Sequence, residues 1–430
     1  MISSTEYKKR RDNLAKSMQS YSVAIVHSAM HKTRSNDTEY PYRQDSNFYY
    51  LTGFKEDNSC LMILKKKKRF KTILFVEKKD ETKELWTGKR LGKKEAKKVF
   101  LVDKVYEIDK LEDKFKENMD LKQNLYFDFK LNYLRFKALK RFSKAINTHK
   151  NIAINIEKMR LIKSSAEISI IKKAINITKK AHHKAMQSKK KDKYEYELQA
   201  VFENTFKKNG AYSDAYTSVI AGGNSANTLH YIDNNKKLVE GELILIDSGC
   251  EFEYYASDIT RTIPVNSTFT KPQKELYNMI LDVQLKIIDM IKPGFLRTSL
   301  QKKSEKLLCD GMIRLGILKG KRKKLIKQKK HKKYYPHGIG HWMGIDVHDE
   351  APYKDKRGKE IPLKKGMVLT IEPGIYCDEN DKTIPKKYRG IGIRIEDDIL
   401  VTKTGCENLS SSIAKNIEDI EMLSLDPEIV

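Results

Sequence analysis

No stretch of the 430-residue chain approaches the ~20 consecutive apolar residues that a membrane-spanning helix needs. The opening "MISSTEYKKRRDNLAKSM" carries charges but no apolar core, so no secretory leader and no membrane partner are expected there. Cysteine is sparse. Cys60, Cys250, Cys309, Cys377 and Cys406 are scattered and show no CxxC spacing, which argues against a disulfide framework and for a reducing, cytoplasmic setting. Acidic residues are outnumbered: 57 Asp and Glu face 85 Lys and Arg, a formal net charge of +28. The basic residues are mostly lysines spread along the chain, without interleaved aromatics or a nucleic-acid motif. A lysine-rich solvated surface accounts for them, and no specific nucleic-acid partner is expected. Weak polyanion binding at low salt follows from charge alone.

What is present is a folded, core-forming composition, 39% hydrophobic and 9% aromatic. Up to about residue 158, short apolar runs such as "SVAIVHSA" and "KTILFVE" alternate with charged helical stretches such as "LGKKEAKKVF". That alternation predicts an α/β domain over residues 1–158. Within it, "FYYLTGF" reads as core. A second domain is expected over residues 159–430. In "MRLIKSSAE", Ser164 and Glu167 have capping-box spacing, and a long amphipathic helix follows. His182 and His183 lie on that helix, in a packed or solvated role. Strand signals then dominate from residue 219, with a helical region at about 271–316 between two groups of strands. The second domain is therefore α+β. The run "KGKRKKLIKQKKHKK" reads as solvated helix and loop.

The chemistry sits in four stretches. In "LILIDSGCEFEYYASDIT", alternation puts Leu243, Leu245 and Asp247 on one strand face, and the next strand carries Asp258 beside Thr260 and Thr262. In "MVLTIEPG", Val368, Thr370 and Glu372 share a face and Pro373 ends the strand. In "GIGIRIEDD", Ile391, Ile393 and Ile395 face one way, and Arg394, Glu396 and Asp398 the other. Burying an ionised carboxylate costs several kcal/mol unless it is paired or metal-bound. Two like charges ~4 Å apart repel by about 4 kcal/mol at an effective dielectric of 20. Four converging carboxylates therefore call for counter-charge, and two divalent cations would supply it. The fourth stretch, "YYPHGIGHWMGIDVHDE", brings His337, His341 and His348. Gly338 and Gly340 inside HxxxH argue against a helical zinc-protease motif. Oxygen-rich ligands plus one imidazole suit Mn, Co, Fe or Zn in a two-metal site, with the remaining histidines lining it.

"AGGNSANTLHY", "LIDSGCEFEYYASDITRTIPV", "PHGIGHWMGIDVHD", "TIEPGIY" and "GIRIEDD" resemble the metallopeptidases of the creatinase/aminopeptidase, or pita-bread, fold. Upstream, "TRSNDTEYPYRQDSNFYYLTGF" and "ELWTGKRLG" resemble the creatinase-like N-terminal domain of the Xaa-Pro aminopeptidase (aminopeptidase P) branch, so the resemblance covers nearly the whole chain. It implies a pita-bread catalytic domain behind a smaller α/β domain. It also implies five metal ligands: Asp247, Asp258, His341, Glu372 and Glu396. Asp258 and Glu396 would bridge two ions, Asp247 would hold one, and His341 and Glu372 the other, with Mn2+ the expected metal. His230, His337 and His348 would line the substrate site, and His337 or His348 would donate to the developing oxyanion. Glu372 would also shuttle protons, while Tyr376 and Arg394 would support the site. Asp37 and Trp86 would approach a neighbouring subunit's active site in a homo-oligomer. The implied activity is removal of the first residue from peptides with proline second, by attack of hydroxide generated from a water shared between the ions. The alternative is a prolidase, cleaving only Xaa-Pro dipeptides with the same ligands. Trp342 after His341 and the "YPYRQDSNFYYLTGF" stretch favour the aminopeptidase. Two departures stand out: "QSKKKDKYEYE" lacks the family's usual Pro-Gly, and Pro336 replaces an apolar residue before His337.

Overall fold

The computed structural model describes residues 1–118, 124–130, 148–188 and 192–425. Among them, no helix is long and apolar enough to cross a membrane. The chain divides into two compact units, Met1–Met159 and Arg160–Val430.

The first unit is built on a mixed six-stranded sheet. Its order is Lys104–Glu107, Phe70–Val76, Cys60–Lys65, Ser22–His27, Asn124–Phe127, Thr148–Asn151. The central pairs are antiparallel and the outer ones parallel. Strand Ser22–His27 is buried at all six positions, as a strand covered on both faces must be. Val23, Ile25, Met62, Ile73, Phe75 and Leu125 form its core with Phe115. "FYYLTGF" is core as expected. It forms helix Ser46–Thr52, started by the Asp45 side chain accepting from Phe48 N and closed at Gly53, where φ is +69° and a Cβ would meet the Tyr7 ring at 2.5 Å.

The second unit repeats one order of elements: two helices, then antiparallel strands. Helix Ser165–Ser188 begins with the predicted capping box. Glu167 Oε2 accepts from Ser164 N at 2.8 Å, and Ser164 Oγ accepts from Glu167 N at 3.3 Å. His182 is packed inside, edge-on to Phe202, and burial pushes its pKa down to about 3. His183 Nε2 accepts from Ala414 N. Of the 187–197 segment, residues 189–191 lie outside the described residues; beyond them Glu197 caps Tyr194 N at the start of helix Glu195–Lys208. The three strands that follow are Val219–Gly222, Leu243–Asp247 and Thr260–Pro264. Helices Lys271–Asp289 and Arg297–Arg314 open the second half. Its strands are Val368–Ile371, Gly374–Cys377, Ile391–Arg394 and Asp397–Val401. One large apolar core runs beneath both sets, drawing on Ile244, Ile246, Ile263, Leu369, Ile371, Ile393, Ile395 and Ile399.

The strands are shorter than the sequence pattern suggests, and the breaks fall at the chemistry. "YYASDITRTIPV" is two strands, Tyr255–Ala256 and Thr260–Pro264, so Asp258 lies in an irregular stretch rather than within a strand. Glu372 comes one residue after a strand end, and Glu396 lies between Ile391–Arg394 and Asp397–Val401. Where the ladder lapses, backbone bends and side chains leave the alternating pattern. Two glycines make these bends fit. A Cβ on Gly249 would sit 1.8 Å from Ser257 O, and one on Gly340 would sit 1.9 Å from Thr370 O.

Candidate metal centre

The strand ends converge on one cavity of about 320 Å³ in the second unit. It is lined by Tyr216, Thr217, Val219, Leu229, His230, Ile232, Asp247, Asp258, His337, His341, Val347, His348, Glu372, Arg394 and Glu396. All five residues expected as metal ligands are there, with His230, His337, His348 and Arg394. Tyr376 stands behind Arg394 and His337. Asp37 and Trp86 belong to the other unit; both are exposed, Trp86 at 83%.

Asp258, His341 and Glu396 each offer a ligand atom within 4.8 Å of the other two. His341 Nε2 stands 3.2 Å from Asp258 Oδ2 and 3.7 Å from Glu372 Oε1. Its Nδ1 lies 3.0 Å from the Trp342 carbonyl, which can only accept. A proton therefore sits on Nδ1, and Nε2 is turned toward the carboxylates, the nitrogen that would bind an ion on losing its own proton. Tyr216 Oη is 2.6 Å from both Asp247 Oδ1 and Asp258 Oδ1. Thr260 Oγ1 donates to Glu396 Oε2 at 2.6 Å and accepts from Arg394 Nε at 3.1 Å. Arg394 Nη2 pairs with Asp247 Oδ2 at 2.5 Å. The second half is tied to the first by Glu396 N donating to Thr260 O.

The electrostatics describe a site short of positive charge. Burial, then the neighbouring Asp258, pushes the Asp247 carboxyl up against the pull of Arg394. Burial raises Glu372 to about 7, and burial with three neighbouring carboxylates holds Glu396 well above its ordinary range. For His341, burial opposes the charged form, but the hydrogen bond and charge of Asp258 with the charge of Glu372 lift it to about 9. One guanidinium and one imidazole thus face four carboxylates. A divalent cation would relieve each of these shifts, and the donor set, carboxylate oxygens with one neutral-capable imidazole, fits Mn, Fe, Co or Zn.

His337 is tied to its neighbours at both ring nitrogens. Burial and Arg394 push its pKa down to about 3. Nδ1 lies 2.8 Å from the Gly338 carbonyl and so carries the proton, while Nε2 accepts from Tyr376 Oη at 2.9 Å. Tyr376 Oη in turn accepts from Arg394 Nη1 at 2.8 Å. Both ring nitrogens of His337 thus have partners within the chain. His348 is exposed, its ring edge-on to His341 at 4.1 Å, and it faces the cavity. The donating roles of Tyr216 and Thr260 were not read from the sequence. Nor was Asp398, whose buried Oδ2 accepts from Asp258 N at 3.1 Å. A lone tyrosine and a strand threonine carry no charge signature. Alternation with Glu396 had put Asp398 on the same strand face, but not its contact with Asp258.

A carboxylate-rich pocket with one imidazole among its expected ligands, closed by strands from two similar halves, defines a metallohydrolase centre. Residues 169–403 match Metallopeptidase family M24, and residues 7–126 match the Aminopeptidase P N-terminal domain. The chain is 38% identical over 425 residues to a Xaa-Pro aminopeptidase of Haemophilus influenzae, covering 97% of this chain and 96% of that one. It is 38% identical to Xaa-Pro aminopeptidase 3 of Homo sapiens, covering 90% of this chain and 78% of that one. Its structure superposes on zinc-substituted Escherichia coli aminopeptidase P in complex with product with a TM-score of 0.95 at 36% identity, covering 99% and 98% of the two chains. The chain belongs to metallopeptidase family M24, with the aminopeptidase P type of N-terminal domain and the pita-bread fold.

Proposed function

We propose that this metallo-exopeptidase removes the first residue from peptides with proline in second position, using two divalent ions. The convergence of Asp247, Asp258, His341, Glu372 and Glu396 in one cavity carries the reading, and the names borne by its full-length relatives agree with it. Asp258 and Glu396 would bridge the ions, Asp247 would hold one of them, and His341 with Glu372 the other. Mn2+ is the first metal to try. When bound, the ions would supply a water of lowered pKa and polarise the scissile carbonyl.

The chain's own residues do the rest. Glu372, a carboxylate facing the cavity, can take a proton and return it to the leaving nitrogen. His348 supplies the N–H for charge developing on the carbonyl oxygen. His337, fixed by Tyr376 and Arg394, forms wall rather than donor. A residue–proline bond has no N–H to recognise, so selectivity rests on shape. Val219, Leu229, Ile232 and Val347 give the cavity its apolar side, with His230 beside them. In a homo-oligomer Asp37 and Trp86 would meet peptide held by a neighbouring copy. Five free cysteines, four of them buried, suit a reducing, cytoplasmic setting.

Arg-Pro-Pro and Gly-Pro, offered separately to Mn-loaded protein, test the reading. Release of Arg from the tripeptide is expected. Cleavage of the dipeptide alone would replace it with a prolidase.

A further inference from the structure

The loop from His341 to His348 carries two of the cavity's imidazoles, and what holds it lies almost 190 residues earlier in the chain. Asp349, next to His348, is buried, with 6% of its surface exposed. Its Oδ1 takes Arg160 Nη2 at 2.5 Å and its Oδ2 takes Lys163 Nζ at 3.0 Å. The same Arg160 nitrogen reaches Asp346 Oδ2 at 2.5 Å. Thus one guanidinium grips both ends of Asp346–Asp349, the segment that contains His348. Burial opposes the Asp349 charge, but Lys163 and Arg160 hold its carboxyl below the usual range.

The loop is folded tightly around this pair. Gly344 passes so close that a Cβ would stand 2.7 Å from Asp349 Oδ2 and 2.9 Å from Lys163 Cε. Asp349 N donates to Trp342 O, and Gly344 O accepts from Ala256 N, two residues before Asp258. Lys163 N donates to Gly366 O, which ties the base of the clamp to the turn before strand Val368–Ile371. Among the described residues, the His348 ring makes one ring contact, edge-on against His341, and no hydrogen bond. Its place over the cavity is therefore inherited from Asp349.

We propose that Arg160 and Lys163, acting through Asp349, are positioning residues that set where the His348 imidazole stands over the metal centre. They touch neither ligand nor cavity. A buried ion pair is not in itself evidence of stability, since desolvation offsets its attraction; fixing one conformation is the better-attested use. A displacement of about 1 Å at a catalytic group can cost on the order of 10²-fold in rate. The inference rests on the reading of His348 given above.

The test compares Arg160→Gln, Lys163→Met and the charge-keeping Arg160→Lys with wild type, alone and combined with His348→Ala. Metal content and melting temperature are read first, to confirm a folded, loaded centre. For Arg160→Gln the expected result is a kcat for Arg-Pro-Pro lower by about 10- to 100-fold with a smaller change in KM. Arg160→Lys should recover most of the loss, because a single nitrogen meets both carboxylates. In the His348→Ala background Arg160→Gln should cost no more than about twofold further. A merely structural role would instead give losses that multiply, and that result overturns the proposal. The second readout needs no turnover. In zinc-loaded protein labelled at histidine Cε1, the signal missing from His348→Ala should shift in Arg160→Gln and Lys163→Met, while the His337 signal stays. An unmoved His348 signal overturns the positioning role whatever the substrate proves to be. A wild type that leaves Arg-Pro-Pro intact rejects the peptidase reading alone, and the His348 signal then decides this one. Should Arg160→Gln not fold, Lys163→Met and Arg160→Lys carry both measurements.

Discussion

The first unit holds a cavity of about 550 Å³ ringed by Glu39, Asp57, Glu77, Asp80 and Glu84; the second unit's, about 320 Å³, holds Asp247, Asp258, Glu372 and Glu396. Both are acidic, and the larger is not the candidate centre. In it each carboxylate has a local partner. His31 stands between Glu39 and Asp57, Arg90 pairs with Asp57, Lys83 with Glu77 and Lys89 with Glu84, while Asp80 caps Lys83 N. Several of these groups are exposed, where such pairs are worth little. In the smaller cavity the carboxylates are removed from water and left with Arg394 and His341. Carboxylates gather in many places on a charged protein. What marks a metal centre is burial with too little positive charge.

The comparison can be broken by substitution. The largest effect belongs to Asp258→Asn, which removes the carboxylate proposed to be shared by both ions. It should strip metal and lower hydrolysis of Arg-Pro-Pro by about 10³-fold or more, the scale of several kcal/mol of lost charge stabilisation. The matched change in the other cavity, Asp57→Asn, should leave bound metal unaltered; metal analysis of both proteins checks this. His348→Ala should keep its metal yet lose about 10²- to 10³-fold in kcat, as removal of an oxyanion donor does, in steady-state assays. Tyr216→Phe removes the hydroxyl between Asp247 and Asp258, and should weaken metal affinity by about 10- to 100-fold in a chelator titration.

The pH dependence sharpens the same contrast. Glu372 is raised from 4.5 to about 7 and His341 from 6.5 to about 9 without metal. A group whose pKa is higher folded than unfolded stabilises the fold below its unfolded value and loses that contribution as pH rises through the folded one. Metal-stripped protein should therefore lose melting temperature between about pH 5 and 9, and added Mn2+ should restore it at the upper end. The smallest effect is expected at Trp86. Trp86→Ala should raise KM a few-fold without altering metal content, and light scattering should show the oligomer that such a role requires.

Much of the centre was legible in the chain because its residues violate their surroundings. Asp247 ends an apolar run, and Glu372 and Glu396 follow others, where a carboxylate has no business without counter-charge. The histidine stretch was legible as a unit but not in its division of labour. That His337 Nε2 is occupied depends on Tyr376, 39 residues away and itself held by Arg394, and no local pattern encodes such a contact. The strand breaks at Asp258 and Glu396 were hidden for a related reason. Alternation runs on across both, so periodicity reads one long strand, and a close approach such as that of Gly249 to Ser257 O has no local signature. The Arg160–Asp349 clamp, spanning 189 residues, lies furthest from what sequence spacing can reveal.

The central claim is that the smaller cavity holds a pair of divalent ions. Anomalous diffraction at the manganese edge from crystals grown with Mn2+ tests it most directly. Two peaks are predicted, both within ligand distance of Asp258 and Glu396, one also beside Asp247 and the other beside His341 and Glu372. An empty cavity in Mn-replete crystals, or manganese found only among the carboxylates of the first unit, would contradict it.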